Sequence, residues 1–414
     1  MSNDSLRNAF SVLKYPEFRY YLFSRFFFIL VITMQATIIS WKVYEITRDP
    51  FSIGLIGLVE FIPAFVMAFF SGHIIDRNDK KKLFFLSLAG NLLLTSILTL
   101  ATTRWSLLHF GQSYVLLMIY SIVFCTGIMR AFSGPTLFAL VSTLVPRDKL
   151  PQAITLHSGS WQIAAVSGPA LAGLLYGFLG ITITFSGMLV ILTMSLLVTL
   201  LISRKPPFLQ QQHESIYQSI RQGFRFIWKS RDVLGTMSLD LFAVFFGGAT
   251  ALLPYFADVI LKTGPQGLGM LRSAPALGSL LVLLLVTFHP LKKQQGKVML
   301  YCVAGFGVSI ILFGLSQMFW LSMFALFVSG VLDGISVIVR STILQLKTPD
   351  EMRGRVASLN SIFIMSSNEL GAFESGLTSK LFGVVPAVVF GGTMTLIVVA
   401  VTWLKAPTLK KLEY

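Results

Sequence analysis

Hydrophobic and polar positions along this chain alternate on one long scale. Predominantly apolar runs, each close to the roughly 20 residues a helix needs to cross a bilayer, are separated by short polar turns. Twelve such runs can be counted, over residues 20–43, 51–72, 83–103, 113–137, 153–176, 180–203, 234–260, 267–288, 297–317, 320–346, 355–382 and 384–404. Backbone amides in hydrocarbon must be satisfied within their own segment, so runs of this length predict helices. The fourth run continues to about Val145, with a kink expected at Pro135.

One long interruption breaks the pattern, Arg204 to Asp232. Lys205-Pro206-Pro207 ends the sixth run and a Gln-rich stretch follows. Ile216, Ile220, Phe224 and Ile227 then recur at three- and four-residue steps with Arg221, Arg225 and Lys229 between them. That spacing predicts an amphipathic helix lying on a membrane surface. The expected organisation is therefore 1–203, a six-helix bundle; 204–232, a linker; and 233–414, a second six-helix bundle.

The two halves repeat. Gly57, Glu60, Pro63 and Ala64 fall on Gly269, Arg272, Pro275 and Ala276 at a shift of 212. Gly127, Pro146, Leu156, Ser158, Gly168 and Gly173 fall on Gly330, Pro349, Leu359, Ser361, Gly371 and Gly376 at a shift of 203. The shift shortens at the loop 103–112, which has almost no counterpart in the second half. Duplication of a six-helix unit, with a site between the halves, is the arrangement this order suggests.

Charge then orients the chain. Of 33 cationic residues, 24 fall on the terminal segments and turns of one side, five (Lys42, Arg48, Arg104, Lys262 and Lys380) on the other, and four inside apolar runs. Positive charge concentrates on the cytoplasmic side, so both termini are expected there. The same bias explains the net charge of +15 without a nucleic-acid partner. With 54% hydrophobic residues, 12% charged residues and a mean hydropathy of +0.75, the composition is that of a membrane protein. Residues 1–20, polar and aromatic, do not read as a cleaved leader. Cys125 and Cys302 sit in separate runs, and the five histidines make no metal-spaced pair. No phosphate-binding loop is present, so no nucleotide, metal or other cofactor is expected and an ion gradient must supply the energy. His157 is a candidate member of a proton path, with packing the favoured reading.

The densest polar turn is Gly72-His73-Ile74-Ile75-Asp76-Arg77-Asn78-Asp79-Lys80-Lys81-Lys82. Ionisable residues inside apolar runs are the other lead, since they are costly there and ordinarily face a cavity or a partner. They are Arg25, Glu60, Arg130, Asp240, Arg272, Asp333, Arg340, Glu369 and Glu374. Matching repeat positions carry opposite charge, Glu60 against Arg272 and Arg130 against Asp333. Two readings stay open: structural ion pairs between helices, or a proton and substrate site. Glu60 and Asp240 are the first candidates to carry protons, and Glu369 and Glu374 follow. A five-residue step sets those last two about 140° apart on a helix, so they cannot both face one cavity. Arg25 is expected to snorkel to the nearer surface.

The turn at 72–82 resembles the loop between helices 2 and 3 of the major facilitator superfamily, with Asp79 where the family has its second glycine. Gly168-Pro169-Ala170-Leu171-Ala172-Gly173 resembles the helix-5 element of antiporters in that superfamily, with Ala172 for a glycine; a kink or hinge is expected at Pro169. Thr348 to Val356, with Asn360, Glu369, Gly371, Glu374 and Gly376, resembles the branch that includes siderophore exporters and macrolide-efflux proteins. The resemblance covers essentially the whole chain. It implies an all-α membrane protein of twelve transmembrane helices in two pseudo-symmetric six-helix bundles. The implied function is proton-coupled, antiporter-type efflux of a small amphipathic organic compound, siderophore or drug-like, from the bacterial cytoplasmic (inner) membrane by a monomeric, non-enzymatic protein. The implied proton and substrate site is Glu60, Asp240, Arg130, Arg272, Asp333, Glu369 and Glu374. The implied cytoplasmic gate is Gly72, Asp76, Arg77, Lys80, Lys81, Arg353 and Arg355, and the packing element is Gly168, Pro169 and Gly173. An importer or lysophospholipid flippase on the same fold, or a non-transporting sensor, are the alternatives.

Overall fold

The computed structural model describes residues 10–204, 216–288 and 294–410. Arg7, Lys205, Lys292, Lys293 and Lys411, together with His213 and His289, lie outside the described residues. The first half contains α1 (Pro16–Thr47), α2 (Pro50–Arg77), α3 (Lys80–Ala101) and α4 (Arg104–Val141). A single run, Leu150–Leu200, follows; Gly180 at φ 78° breaks it into α5 (150–179) and α6 (181–200). The linker helix is α7 (Ile216–Lys229). The second half contains α8 (Arg231–Phe246), α9 (Gly264–Phe288), α10 (Gln295–Leu315), α11 (Phe319–Lys347), α12 (Arg353–Phe382) and α13 (Val384–Lys405).

Among the described residues, ten helical runs are long and apolar enough to cross a membrane. One of them holds both α5 and α6. The twelfth span, α12, is not among the ten although its 30 residues would reach across a bilayer. Its run carries Asn360, Ser366, Ser367, Asn368, Glu369 and Glu374, and a helix so polar needs protein, not lipid, around it.

Two boundaries differ from the pattern-based expectation. The segment expected as a loop over 103–112 is mostly helical, and the break falls at Gly111, φ 77°. Thr103 caps the preceding side by accepting a hydrogen bond from the Ser106 amide. The seventh run does not continue as one α-helix to residue 260. It stops at Phe246, and Ala249–Leu252, Leu253–Tyr255 and Phe256–Ile260 form 3-10, α and π turns, beyond a Gly247-Gly248 pair and around Pro254. At Pro169 the backbone keeps helical angles, and the break at Gly180 falls at the turn expected between the fifth and sixth runs.

Packing divides the chain into two compact units: Met1–Ile39 with Ile62–Gln211, and Ser40–Phe61 with Gln212–Tyr414. The end of α1, the α1–α2 turn and the first part of α2 thus pack with the second unit. Glycines make this possible. A Cβ on Gly54 would stand 2.8 Å from the Gly376 Cα, and one on Gly57 would stand 2.5 Å from the Glu369 carbonyl oxygen. Small residues let helix backbones meet this closely. The second unit's core joins Leu239 and Ala243 of α8, Met299, Leu300 and Val303 of α10, Val339 and Ile343 of α11, and Val399 of α13.

The linker helix packs on the start of α12. Ile220 and Ile227 meet Val356, Leu359 and Met352, and Gly223 abuts Leu359 and Arg355. Phe224, on the apolar stripe expected to face the membrane surface, is exposed and stacks on exposed Trp228 at 6.4 Å. The glycine at 223 moves the contact line one position back and leaves an aromatic ledge on the other side, a combination suited to a membrane interface.

Candidate functional site

The second unit gathers charge at one place. Arg272 on α9 is half-buried, and the two carboxylates that act on its charge are Glu369 of α12 and Glu60 of α2. Its Nη1 also donates a hydrogen bond to Ser40 Oγ at 3.1 Å. Three helices thus converge on one guanidinium, and with every group ionised the cluster carries one net negative charge. Uptake of a single proton by either carboxylate makes it neutral. Glu60 and Arg272, which occupy matching repeat positions, are brought together.

Beyond this cluster the α1–α2 turn is tied down by ionic and aromatic contacts. Arg48, at φ 52°, donates from Nη1 to Asp258 Oδ2 at 2.5 Å, and its guanidinium lies 5.7 Å from the Tyr44 ring centroid. Tyr44 meets Tyr255 edge-on at 6.1 Å. Lys380 Nζ stands 4.6 Å from the Phe51 ring centroid. These contacts are individually weak, but all of them fasten the same short segment.

Asp240 on α8 is ion-paired with Arg340 on α11, and the two side chains are only 12% and 5% exposed. The core residues Leu239 and Val339 flank the pair in sequence. A carboxylate so enclosed is held by its partner.

Asp333 on α11 and Glu374 on α12 are half-buried, and neither carboxylate forms a hydrogen bond or an ion pair with a described residue. A five-residue step on α12 sets Glu374 about 140° around the helix from Glu369. Arg130 is exposed on α4.

The α2–α3 turn is explained by capping. Asp79 takes φ −63° and ψ 119°, so no left-handed residue is needed where the family places glycine. Its Oδ1 accepts the Lys81 amide at 2.8 Å and the Lys82 amide at 3.3 Å, which makes it the N-cap of α3. Lys80, expected as a solvent-facing gate cation, is buried and donates to the Asp76 carbonyl at 3.3 Å, satisfying the frayed end of α2. Gly72, Asp76 and Arg77 are exposed. In the second unit Arg355 is bonded to Gln222 of the linker helix and to Met352 Sδ at 3.4 Å. Arg353 is exposed at the start of α12.

In the first unit Gly168 is where α5 meets α1. A Cβ there would overlap Thr33 Oγ1 and stand 3.1 Å from the Leu30 carbonyl oxygen. Thr33 Oγ1 in turn approaches the Ala164 carbonyl at 3.3 Å. Pro169 and Gly173 are buried beside it. Gly168→Val is therefore expected to lower stability by about 1–3 kcal/mol through overpacking, read as a fall in the unfolding temperature of the purified protein.

Sequence reasoning missed one cluster. Arg25 does not snorkel: it is 4% exposed. Its Nη1 donates to the His157 carbonyl at 2.5 Å and bonds to Ser160 Oγ. Tyr21 Oη donates to the Leu137 carbonyl at 2.8 Å, so its contact with His157 Nδ1 at 2.8 Å leaves the imidazole as donor there. Tyr21, Ser24 and Arg25 lie at i, i+3 and i+4. That polar stripe on one helix face is the signal in the sequence for an inward-facing Arg25.

Among the described residues, ten helical runs long and apolar enough to cross a membrane, with ionised side chains clustered inside them, define an integral membrane protein of the transporter class. A family model described as "Transmembrane secretion effector" matches residues 7–413, and the chain belongs to that family, a branch of the major facilitator superfamily. The enterobactin exporter EntS of Shigella dysenteriae serotype 1 is 26% identical over 379 residues, covering 90% of this chain and 88% of that protein. EntS of Escherichia coli O1:K1 matches with the same identity and coverage. Among solved structures, a POT family transporter in complex with a thioalcohol-conjugated peptide matches with a TM-score of 0.73 at 11% identity, over 95% of this chain and 96% of that one. A point mutant of the nucleoside transporter NupG matches with a TM-score of 0.72 at 14% identity, over 94% and 99%. These structures share the fold. The protein is a membrane transporter and not an enzyme.

Proposed function

We propose that the protein is a secondary active exporter that uses proton influx to extrude an amphipathic organic compound of the siderophore class across the bacterial cytoplasmic membrane, with both termini inside. The observation that carries the reading is the cluster of Arg272 with Glu60 and Glu369. Its charge changes from minus one to zero with one proton, and it lies where the segment 40–61 packs into the second unit. Residues 39–40 and 61–62 connect that segment directly to the first unit. Protonation at Glu60 or Glu369 changes how firmly the segment is held, and so links proton uptake to the alternation of access. A proton or a substrate shifts such a cycle only by binding one state better than the other. Asp240 with Arg340 is assigned a holding role, and Asp333 and Glu374 are further carboxylates available to cargo or proton.

The relatives named as enterobactin exporters support the cargo class and the outward direction. The cargo reading is tested in inside-out proteoliposomes of the full chain. Acidifying the lumen is expected to drive accumulation of a catecholate siderophore, with release of lumenal protons. No gradient-driven accumulation, in vesicles that still exchange labelled siderophore, would contradict proton coupling. Neither accumulation nor exchange would contradict the cargo.

A further inference from the structure

In the first unit, the start of α3 and the end of α6 border an open pocket of about 460 Å³. It is lined by Asp79, Lys81, Lys82, Phe85, Leu200 and Arg204. Its charges are unequally engaged. Asp79 Oδ1 accepts the Lys81 and Lys82 amides, so the one acidic group of the lining serves as a helix cap. Lys81 Nζ donates to the Leu200 carbonyl at 3.0 Å, an unsatisfied carbonyl at the end of α6, and keeps two further N–H donors. The Lys82 ammonium and the Arg204 guanidinium are exposed and form no hydrogen bond or ion pair with a described residue. The carboxylate of Glu17, at the same end of the unit, accepts the Ser203 amide at 3.0 Å. The 22-residue α3 also points its N-terminus, the positive end of its dipole, at this cavity.

The apolar part of the lining gives the ligand its second property. Phe85 and Leu200 form one wall, and α3 and α6 expose Leu86, Leu93, Leu197 and Leu201 along their length. A group that fits must be anionic at one end and apolar at the other. A guanidinium and an ammonium side by side recognise phosphate oxygens, the first by a planar fork and the second as a point charge. Basic pockets between helices at a cation-rich membrane face suit lipid headgroups.

We propose that this cavity binds the phosphodiester headgroup of an anionic phospholipid, with Lys82 and Arg204 holding the phosphate and the acyl chains lying along the leucines of α3 and α6. The site does not depend on the direction or the cargo of transport.

The test uses the full chain released from detergent into native mass spectrometry after incubation with phosphatidylglycerol or with phosphatidylcholine of the same chains. The wild type is expected to retain phosphatidylglycerol in clear excess. Lys82→Gln/Arg204→Gln is expected to lower that retention by roughly tenfold, while Lys82→Arg/Arg204→Lys keeps it. Both positions are exposed, and an unchanged unfolding temperature of the double variant verifies its fold. Equal retention of the two lipids, or of phosphatidylglycerol by wild type and the Gln variant, would overturn the proposal. Displacement of phosphatidylglycerol by inorganic phosphate at the same concentration would overturn it too, because the site would then select a free anion.

Discussion

Asp240→Asn is expected to lower the stability of the second unit by about 3–5 kcal/mol, the usual cost of removing one partner from a buried ion pair. Arg340 is 5% exposed, and without the carboxylate its charge remains enclosed by a core that includes Val339 and Ile343. Neither water nor lipid can compensate a guanidinium there. Arg340→Met alone should also destabilise, while Asp240→Leu/Arg340→Met should recover most of the loss, because replacing both members with apolar groups removes the uncompensated charge. Buried Cys302 provides the readout: a thiol-reactive fluorophore should label it as the unit melts. An Asp240→Asn variant that melts like wild type would mean that the pair does not hold α8 to α11.

Glu369→Gln and Glu60→Gln should behave differently. Each keeps the shape of the side chain, and each changes the Arg272 cluster from three charges to a balanced pair, the charge state that one bound proton would produce. Both variants are expected to fold and to bind cargo. Both should lose nearly all gradient-driven transport, because a permanently neutral cluster has one fewer group with which to sense the proton. Arg272→Met should be more damaging than either, since it leaves two carboxylates of like charge near each other.

These contrasts separate what is legible in the sequence from what is not. The helical runs and the linker helix follow from apolar run length and spacing, and the family match covers the same span. The set of ionisable residues in the spans is equally visible, because each one interrupts an apolar run. Their pairing is not. Which arginine Glu60 and Asp240 each meet depends on the rotation and height of neighbouring helices, and those are set by contacts such as Gly57 against the Glu369 carbonyl. Asp240 and Arg340 lie a hundred positions apart, and nothing in either run names the other. Local chemistry misleads in two places. Asp79 stands where the family has glycine, yet it is the cap of α3, and Lys80 reads as a solvent-facing cation although it is buried against the Asp76 carbonyl. The snorkelling expected of Arg25 rests on its distance from the membrane surface alone, while Tyr21 and Ser24 on the same face point inward.

The most direct measurement of the proton-carrying role compares two modes of transport in the same proteoliposomes. Gradient-driven accumulation of a siderophore is followed beside exchange of labelled for unlabelled siderophore with no gradient imposed. Glu60→Gln and Glu369→Gln should each abolish the first and retain the second. Gradient-driven accumulation at the wild-type rate in both variants would contradict the role assigned to the Arg272 cluster.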